Sequence, residues 1–187
     1  MGFVLLYRMG EQLIASLNTV FFMEAGYTKT EIGIVVKAFG LSATLAGVSL
    51  ANAVSRRYGN MKALWIFGWL QPVNMAALTA LWILPPGLHY LAFFVALDHV
   101  IVGAAGLVFT VFLSSQTRLD YTATQYAILT SVMALPANFL ASPSGWLVSV
   151  LGWPGFYFLG AILALPGLAL LRALRRPRPP AAAGAGP

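Results

Sequence analysis

The chain has 187 residues, of which 59% are hydrophobic and only 9% are charged. A soluble globular domain carries roughly 25% charged residues, so this composition is typical of an integral membrane protein. The formal net charge of +6 does not indicate a nucleic-acid-binding protein, because the basic residues stand at the ends of apolar runs, where membrane topology places them. The chain contains no cysteine, which excludes disulfides and thiolate chemistry.

Apolar runs of roughly 20 residues, the length a bilayer requires, predict an all-α membrane domain over residues 3–172. The sequence divides into six predicted spans, at residues 3–24, 30–55, 61–84, 88–115, 123–150 and 154–171. The second and fifth spans begin with segments of capping-box form, Thr28 to Glu31 and Thr122 to Gln125. Residues 173–187 lack apolar periodicity, and we predict a disordered tail there.

The basic residues predict the orientation of the spans. One set of loops, together with the C-terminal tail, holds eight of them: Arg56, Arg57, Lys62, Arg118, Arg172, Arg175, Arg176 and Arg178. The opposite set of loops holds only Lys29. Both termini are therefore predicted to be cytoplasmic.

Small residues and prolines shape two of the predicted spans. Ala43, Gly47 and Ala51 recur at a spacing of four residues on the second span, which predicts close packing against another helix. Pro136 and Pro143 interrupt the fifth span and are expected to kink it, forming a shaped wall or a gate.

Signatures of enzymes and of metal sites are missing from the sequence. There is no HExxH, GxSxG or phosphate-loop motif, and the only histidines are His89 and His99. We therefore predict no catalytic residue, no metal ligand and no cofactor.

Five ionisable residues fall inside the predicted spans: Arg8, Glu11, Lys37, Asp98 and His99. Placing such a group in a bilayer costs on the order of 3 kcal/mol, so each is a candidate functional residue. One interpretation is structural, with Arg8 paired to Glu11 and Lys37 paired to Asp98 at similar depth. The other is that the acids and His99 line a polar pathway on which a carboxylate changes its protonation state. The two interpretations do not exclude each other.

Polar neighbours extend the predicted pathway. Gln12 and Ser16 accompany Glu11 on the first span and are included among the substrate or proton pathway residues. Gln71 and Asn74 on the third span are expected to form interhelical hydrogen bonds. Because adjacent helix positions point about 100° apart, we expect Asp98 to face the cavity and His99 to face a neighbouring helix.

The six spans divide into three and three, with Glu11 and Asp98 at matching places in the first and fourth. This pattern is typical of two inverted three-helix repeats around a cavity and resembles one half of a major facilitator superfamily transporter. In the loop after the second span, Arg57 and Gly59 match that superfamily's G-x-x-x-D-R-x-G-R-R signature. Asn52 and Arg56 stand at its glycine and acidic positions.

Longer segments resemble AmpG-type muropeptide permeases, namely GYTKTEIG, KAFGLSAT and YTATQYAILTSVMALPANFLASPSGWLVSVLGWPGFYFL. The resemblance is to the C-terminal half of such a permease. It implies proton-coupled import of N-acetylglucosaminyl-anhydro-N-acetylmuramyl peptides across the bacterial inner membrane, for peptidoglycan recycling. Eukaryotic acetyl-CoA transporters look similar in the same segments, so this or another superfamily substrate is an alternative.

The resemblance also implies a partner, because a complete transporter of this superfamily has about twelve spans. We expect a separate or missing N-terminal half, or a second copy of this chain. The second and fifth spans would meet that partner. Besides it, the expected partners are membrane lipid, protons and a sugar-peptide substrate. A non-transporting membrane scaffold, in which the charges form structural pairs, is the alternative of a different class.

Overall fold

The computed structural model describes residues 10–115 and 122–174 of the chain. Within the second range, side chains are described at residue 131 and over residues 143–171. Arg8, the loop around Arg118 and the greater part of the predicted tail lie outside the described residues. So do the side chains of Pro136 and of the Thr122 to Gln125 capping box.

Helices account for the regular structure throughout the described residues. A helical segment at residues 10–15 is followed by a turn at residues 16 and 17. The remaining elements are α1 (Asn18–Glu24), α2 (Lys29–Val35), a π-helical turn (Val36–Gly40), α3 (Leu41–Tyr58), α4 (Asn60–Leu78), α5 (Ala80–Ile83), α6 (Leu88–Ser115) and α7 (Thr122–Leu174). The prediction of an all-helical chain is confirmed for this part of the protein.

Four of the described segments are long and apolar enough to cross a membrane. They are Lys29–Tyr58, Asn60–Ile83, Leu88–Ser115 and Pro143–Leu171. Each overlaps a span that hydropathy predicts, while the total of six spans and their repeat relationship remain predictions. The last segment contains Gly152, whose φ of 67° and ψ of 172° interrupt the helix at the predicted LGWPG turn.

The start of α2 is fixed by the capping box that the sequence predicts. The Thr28 Oγ1 atom accepts a hydrogen bond from the Glu31 backbone N–H at 3.2 Å. The Glu31 carboxylate in turn accepts from the Thr28 backbone N–H at 2.8 Å. Each side chain thus satisfies one of the N–H groups that a helix start leaves without a partner.

Small residues allow α3 and α6 to cross closely. Ala43, Gly47 and Ala51 are all buried, and a Cβ atom on Gly47 would clash with the carbonyl oxygen of Val100. On α6, a Cβ atom on Gly103 would lie 2.7 Å from the carbonyl oxygen of Thr44. The small-residue stripe is therefore a helix-packing surface, as predicted.

Two apolar clusters divide the bundle along its length. One contains Phe67 of α4 and Ala104 of α6, and the other contains Met75 of α4 and Val95 of α6. On both helices, polar residues occupy the interval between the clusters. The candidate functional site lies in this interval.

Candidate functional site: a polar cavity between the first helix, α4 and α6

A cavity of about 200 Å³ opens between α4, α6 and the first helix, by which we mean the helical segment 10–15 together with α1. Its lining combines two carboxylates, three amides and one imidazole with apolar side chains. The lining residues are Glu11, Ile14, Ala15, Asn18, Gln71, Asn74, Met75, Leu78, Asp98, His99, Ile101 and Val102. Three residues of the predicted pathway, Glu11, Asp98 and His99, are thus brought together in one place.

Two amides on α4 each bond a carboxylate on a different neighbouring helix. Gln71 Nε2 donates to Glu11 Oε2 at 3.0 Å, and Asn74 Nδ2 donates to Asp98 Oδ1 at 2.7 Å. Gln71 and Asn74 lie three residues apart, so they project from one face of α4. Both amides are 4% exposed. The interhelical hydrogen bonds predicted for these two amides are confirmed, and α4 links both acids.

Only one of the two polar atoms of the Asn74 side chain, Nδ2, has a hydrogen-bond partner among the described residues. Its Oδ1 atom is buried and has no hydrogen-bond partner among the described residues, which is unusual because a buried acceptor without a partner costs about 1–3 kcal/mol of desolvation. The nitrogen of the same amide donates a hydrogen bond to Asp98. An acceptor without a partner therefore lies on the side chain that binds a carboxylate.

His99 is held by its own helix. Its Nδ1 atom lies 2.8 Å from the Val95 carbonyl oxygen, and only a protonated Nδ1 can donate to a carbonyl, which assigns the Nδ1–H form. On the other side of the ring, a Cβ atom on Gly40 would lie 3.0 Å from Nε2. The imidazole thus packs against the end of the π-helical turn while its ring also lines the cavity.

A second polar layer joins the first helix to α7. The Tyr157 hydroxyl donates to Asn18 Oδ1 at 2.8 Å, and the Trp153 indole N–H donates to Glu24 Oε2 at 2.7 Å. The Phe21 ring lies between them, with its centroid 4.7 Å from that of Tyr157 and 5.2 Å from that of Trp153. This aromatic cluster fixes α1 beside the cavity.

The other predicted site residues within the described ranges do not line the cavity. Gln12 is half-buried, and Ser16 is exposed with its hydroxyl donating to the Leu13 carbonyl at 2.6 Å. Arg57 and Gly59 lie at the junction of α3 and α4, where the Arg57 guanidinium carbon is 5.4 Å from the Tyr58 ring centroid.

The predicted ion pair between Lys37 and Asp98 is wrong. Lys37 lies in the π-helical turn with its side chain exposed, and Asp98 bonds the Asn74 amide instead. The other predicted pair cannot be compared, because Arg8 lies outside the described residues.

Sequence reasoning left Gln71, Asn74 and Asn18 out of the predicted site. A signal for the first two exists in the sequence, because two amides at a spacing of three on an apolar helix must share a face. Their position opposite Glu11 and Asp98 depends on how α4 is rotated in the bundle, which one sequence does not specify.

No protein-family model matches the chain. It is 33% identical to the putative transporter AmpG 4 of Rickettsia conorii over 168 residues, which cover 90% of this chain and 41% of that protein. It is 30% identical to the anhydromuropeptide permease of Escherichia coli K12 over 174 residues, which cover 92% of this chain and 35% of that protein. The chain is a homologue of the AmpG-type permeases.

The homology to AmpG-type permeases covers most of this chain but only part of each relative. The chain spans about two fifths of the length of the relatives it matches. Those relatives are named as permeases and transporters rather than enzymes. Together with the four apolar helices, the AmpG relationship makes this a multi-pass membrane protein.

Proposed function

We propose that the chain forms the C-terminal six-helix half of a proton-coupled secondary transporter. The half would consist of two inverted three-helix repeats. The imported substrate would be a muropeptide, N-acetylglucosaminyl-anhydro-N-acetylmuramyl peptide, taken up across the bacterial inner membrane for peptidoglycan recycling. The name of the Escherichia coli relative supports the substrate class, and the excess of basic residues on one set of loops supports cytoplasmic termini.

The Asp98–Asn74 pair carries the proposal of proton coupling. Protonating a carboxylate that is paired with a cation would leave that cation without a counter-ion in the membrane. The described partner of Asp98 is a neutral amide, and the Oδ1 atom of that amide has no partner in the part of the chain that the structure describes. A protonated Asp98 could donate its new O–H to this atom and still accept from Asn74 Nδ2, forming a two-bond ring.

Asp98 would therefore have a hydrogen-bonded arrangement in both protonation states. A relay group needs this property, because a carboxylate that is stable in only one state would not exchange its proton. Glu11 lies in the same cavity and bonds Gln71 on the same helix face. A proton bound at either acid would change the bonds that hold α4 against the first helix or α6, and so couple protonation to helix positions.

Lys37 and Arg8 remain in the proposal as cations for anionic groups. Lys37 lies in a π-helical turn, a distortion that is frequent at functional sites, and its side chain is exposed in this half. In a complete transporter, that side chain would meet a carboxylate of the substrate's peptide or of the other half. Arg8 would set the charge around Glu11, and Gln12 and Ser16 would extend the polar surface of the first helix.

Uptake of labelled anhydro-muropeptide tests the proposal. The chain is expressed in cells together with a complementary N-terminal six-helix half, with and without a protonophore. We expect uptake that needs both halves and collapses with the protonophore. Replacing Asp98→Asn should abolish this uptake while the protein level in the membrane stays the same.

Glu24→Gln is the matched control, because the Glu24 carboxylate bonds Trp153 and does not line the cavity. This variant should retain most of the uptake. Undiminished proton-driven uptake by the Asp98→Asn variant would remove Asp98 from the coupling role. No uptake by the unaltered pair of halves would contradict the transporter proposal itself.

A further inference from the structure

A second cavity of about 370 Å³ lies away from the polar cavity, between α3, the start of α4 and α6. We call it the α3–α6 groove. Its lining residues are Val48, Ser49, Asn52, Ser55, Asn60, Leu107 and Val111. It shares no residue with the polar cavity, so the interpretation of one does not depend on the other.

The lining of the groove mixes apolar and polar side chains. Val48, Leu107 and Val111 are apolar, whereas Ser49, Asn52, Ser55 and Asn60 are polar. Asn60 Nδ2 donates to the Val108 carbonyl at 3.3 Å, which fixes the start of α4 against α6. This mixture of side chains suits a molecule with an apolar chain and a polar head.

A cation lies beside the groove. Arg56 is exposed and follows Asn52 by four residues, so it lies on the same side of α3 as Asn52, one turn beyond the lining residues and nearer the helix end. The start of α4 adds to this potential, because Gly59 has no side chain to cap the first N–H groups. Arg56 occupies the acidic position of the loop signature described above, so a cation stands beside the groove where that signature has a carboxylate.

The described carboxylates are engaged elsewhere. None of the four lines the groove. Each has a hydrogen-bond partner away from it: Glu11 with Gln71, Glu24 with Trp153, Glu31 with Thr28 and Asp98 with Asn74. The charge at Arg56 thus has no carboxylate to balance it within residues 10–115 and 143–171.

We propose that the α3–α6 groove binds an anionic phospholipid. The Arg56 guanidinium and the Asn52 amide donate to the phosphate, and one acyl chain lies along Val48 and Leu107. The inference rests on the proposed orientation, which puts this end of the bundle at the cytoplasmic leaflet, where anionic lipids produce a negative surface potential. It does not depend on transport.

The headgroup chemistry distinguishes this site from general lipid solvation. A zwitterionic lipid brings an ammonium or choline group that needs an anionic partner, and the described lining offers none. Phosphatidylglycerol brings a phosphate and hydroxyl groups, which match the guanidinium and amide donors. We therefore expect the groove to select phosphatidylglycerol over phosphatidylcholine.

Native mass spectrometry of the full chain, released from detergent and titrated with each lipid, tests the proposal. Wild-type protein should retain phosphatidylglycerol more strongly than phosphatidylcholine. Arg56→Gln should weaken retention of phosphatidylglycerol about tenfold or more, the range expected for a lost hydrogen bond to a charged group. Arg56→Lys should recover part of that loss. Circular dichroism verifies that each variant is folded.

Lys29→Gln is the matched control, because it removes one cation at the opposite end of the same membrane segment. Equal losses in the Arg56→Gln and Lys29→Gln proteins would overturn the proposal in favour of general charge attraction, as would equal retention of the two lipids. Loss of bound phosphatidylglycerol when the N-terminal half is added would also overturn it, because the groove would then be a protein interface.

Discussion

The hydrogen bond between Asn74 and Asp98 predicts a measurable coupling free energy between the two side chains. Asn74 Nδ2 lies 2.7 Å from Asp98 Oδ1, and Asn74 is 4% exposed. A hydrogen bond to a charged group contributes about 1.5–3 kcal/mol in proteins. Membrane double-mutant cycles average about 0.6 kcal/mol with a maximum near 1.7 kcal/mol. We therefore expect a coupling of about 1–2 kcal/mol from the cycle of Asn74→Ala and Asp98→Ala.

The assay is reversible unfolding of the full chain in mixed detergent micelles, followed by circular dichroism. Glu31→Ala replaces Asp98→Ala in the control cycle, because the described bonds of Glu31 all go to Thr28. Its coupling to Asn74 should lie within about 0.5 kcal/mol of zero, the usual limit for independent sites. An Asn74–Asp98 coupling no larger than that of the control cycle would refute the pairing on which the proton-binding argument depends.

Two predictions concern the packing of the bundle, and the same unfolding assay measures both. Thr28→Ala should lower the free energy of unfolding by about 0.5–2 kcal/mol through loss of the capping box, while Thr30→Ala should change it far less. Gly47→Ala should destabilise the chain by about 1–3 kcal/mol because its Cβ meets the backbone of α6, whereas Gly106→Ala has open space. Equal effects within either matched pair would contradict the packing described.

Features set by neighbouring residues in the chain were predictable from the sequence. The Thr28 capping box depends on residues three apart, and the buried stripe that contains Gly47 depends on helical spacing alone. The acids of the cavity were predictable for another reason, since a carboxylate in an apolar span is costly and must have a polar environment.

Partner choice across helices was not predictable. A residue's place in a span gives its depth, but the direction of its side chain depends on how the helix is rotated and on local distortions. The second span contains a π-helical turn at Val36–Gly40, and residues 37–39 within it are all exposed. The Lys37 side chain is exposed, and Asp98 accepts a hydrogen bond from the amide of Asn74 on a third helix instead.

Proton movement coupled to substrate entry tests the central proposal most directly. The chain and a complementary N-terminal half are reconstituted in proteoliposomes that contain a pH-sensitive dye, and anhydro-muropeptide is added outside. The proposal predicts acidification of the lumen that depends on the substrate and is lost in the Asp98→Asn variant. Accumulation of muropeptide without acidification, or acidification that persists in that variant, would contradict it.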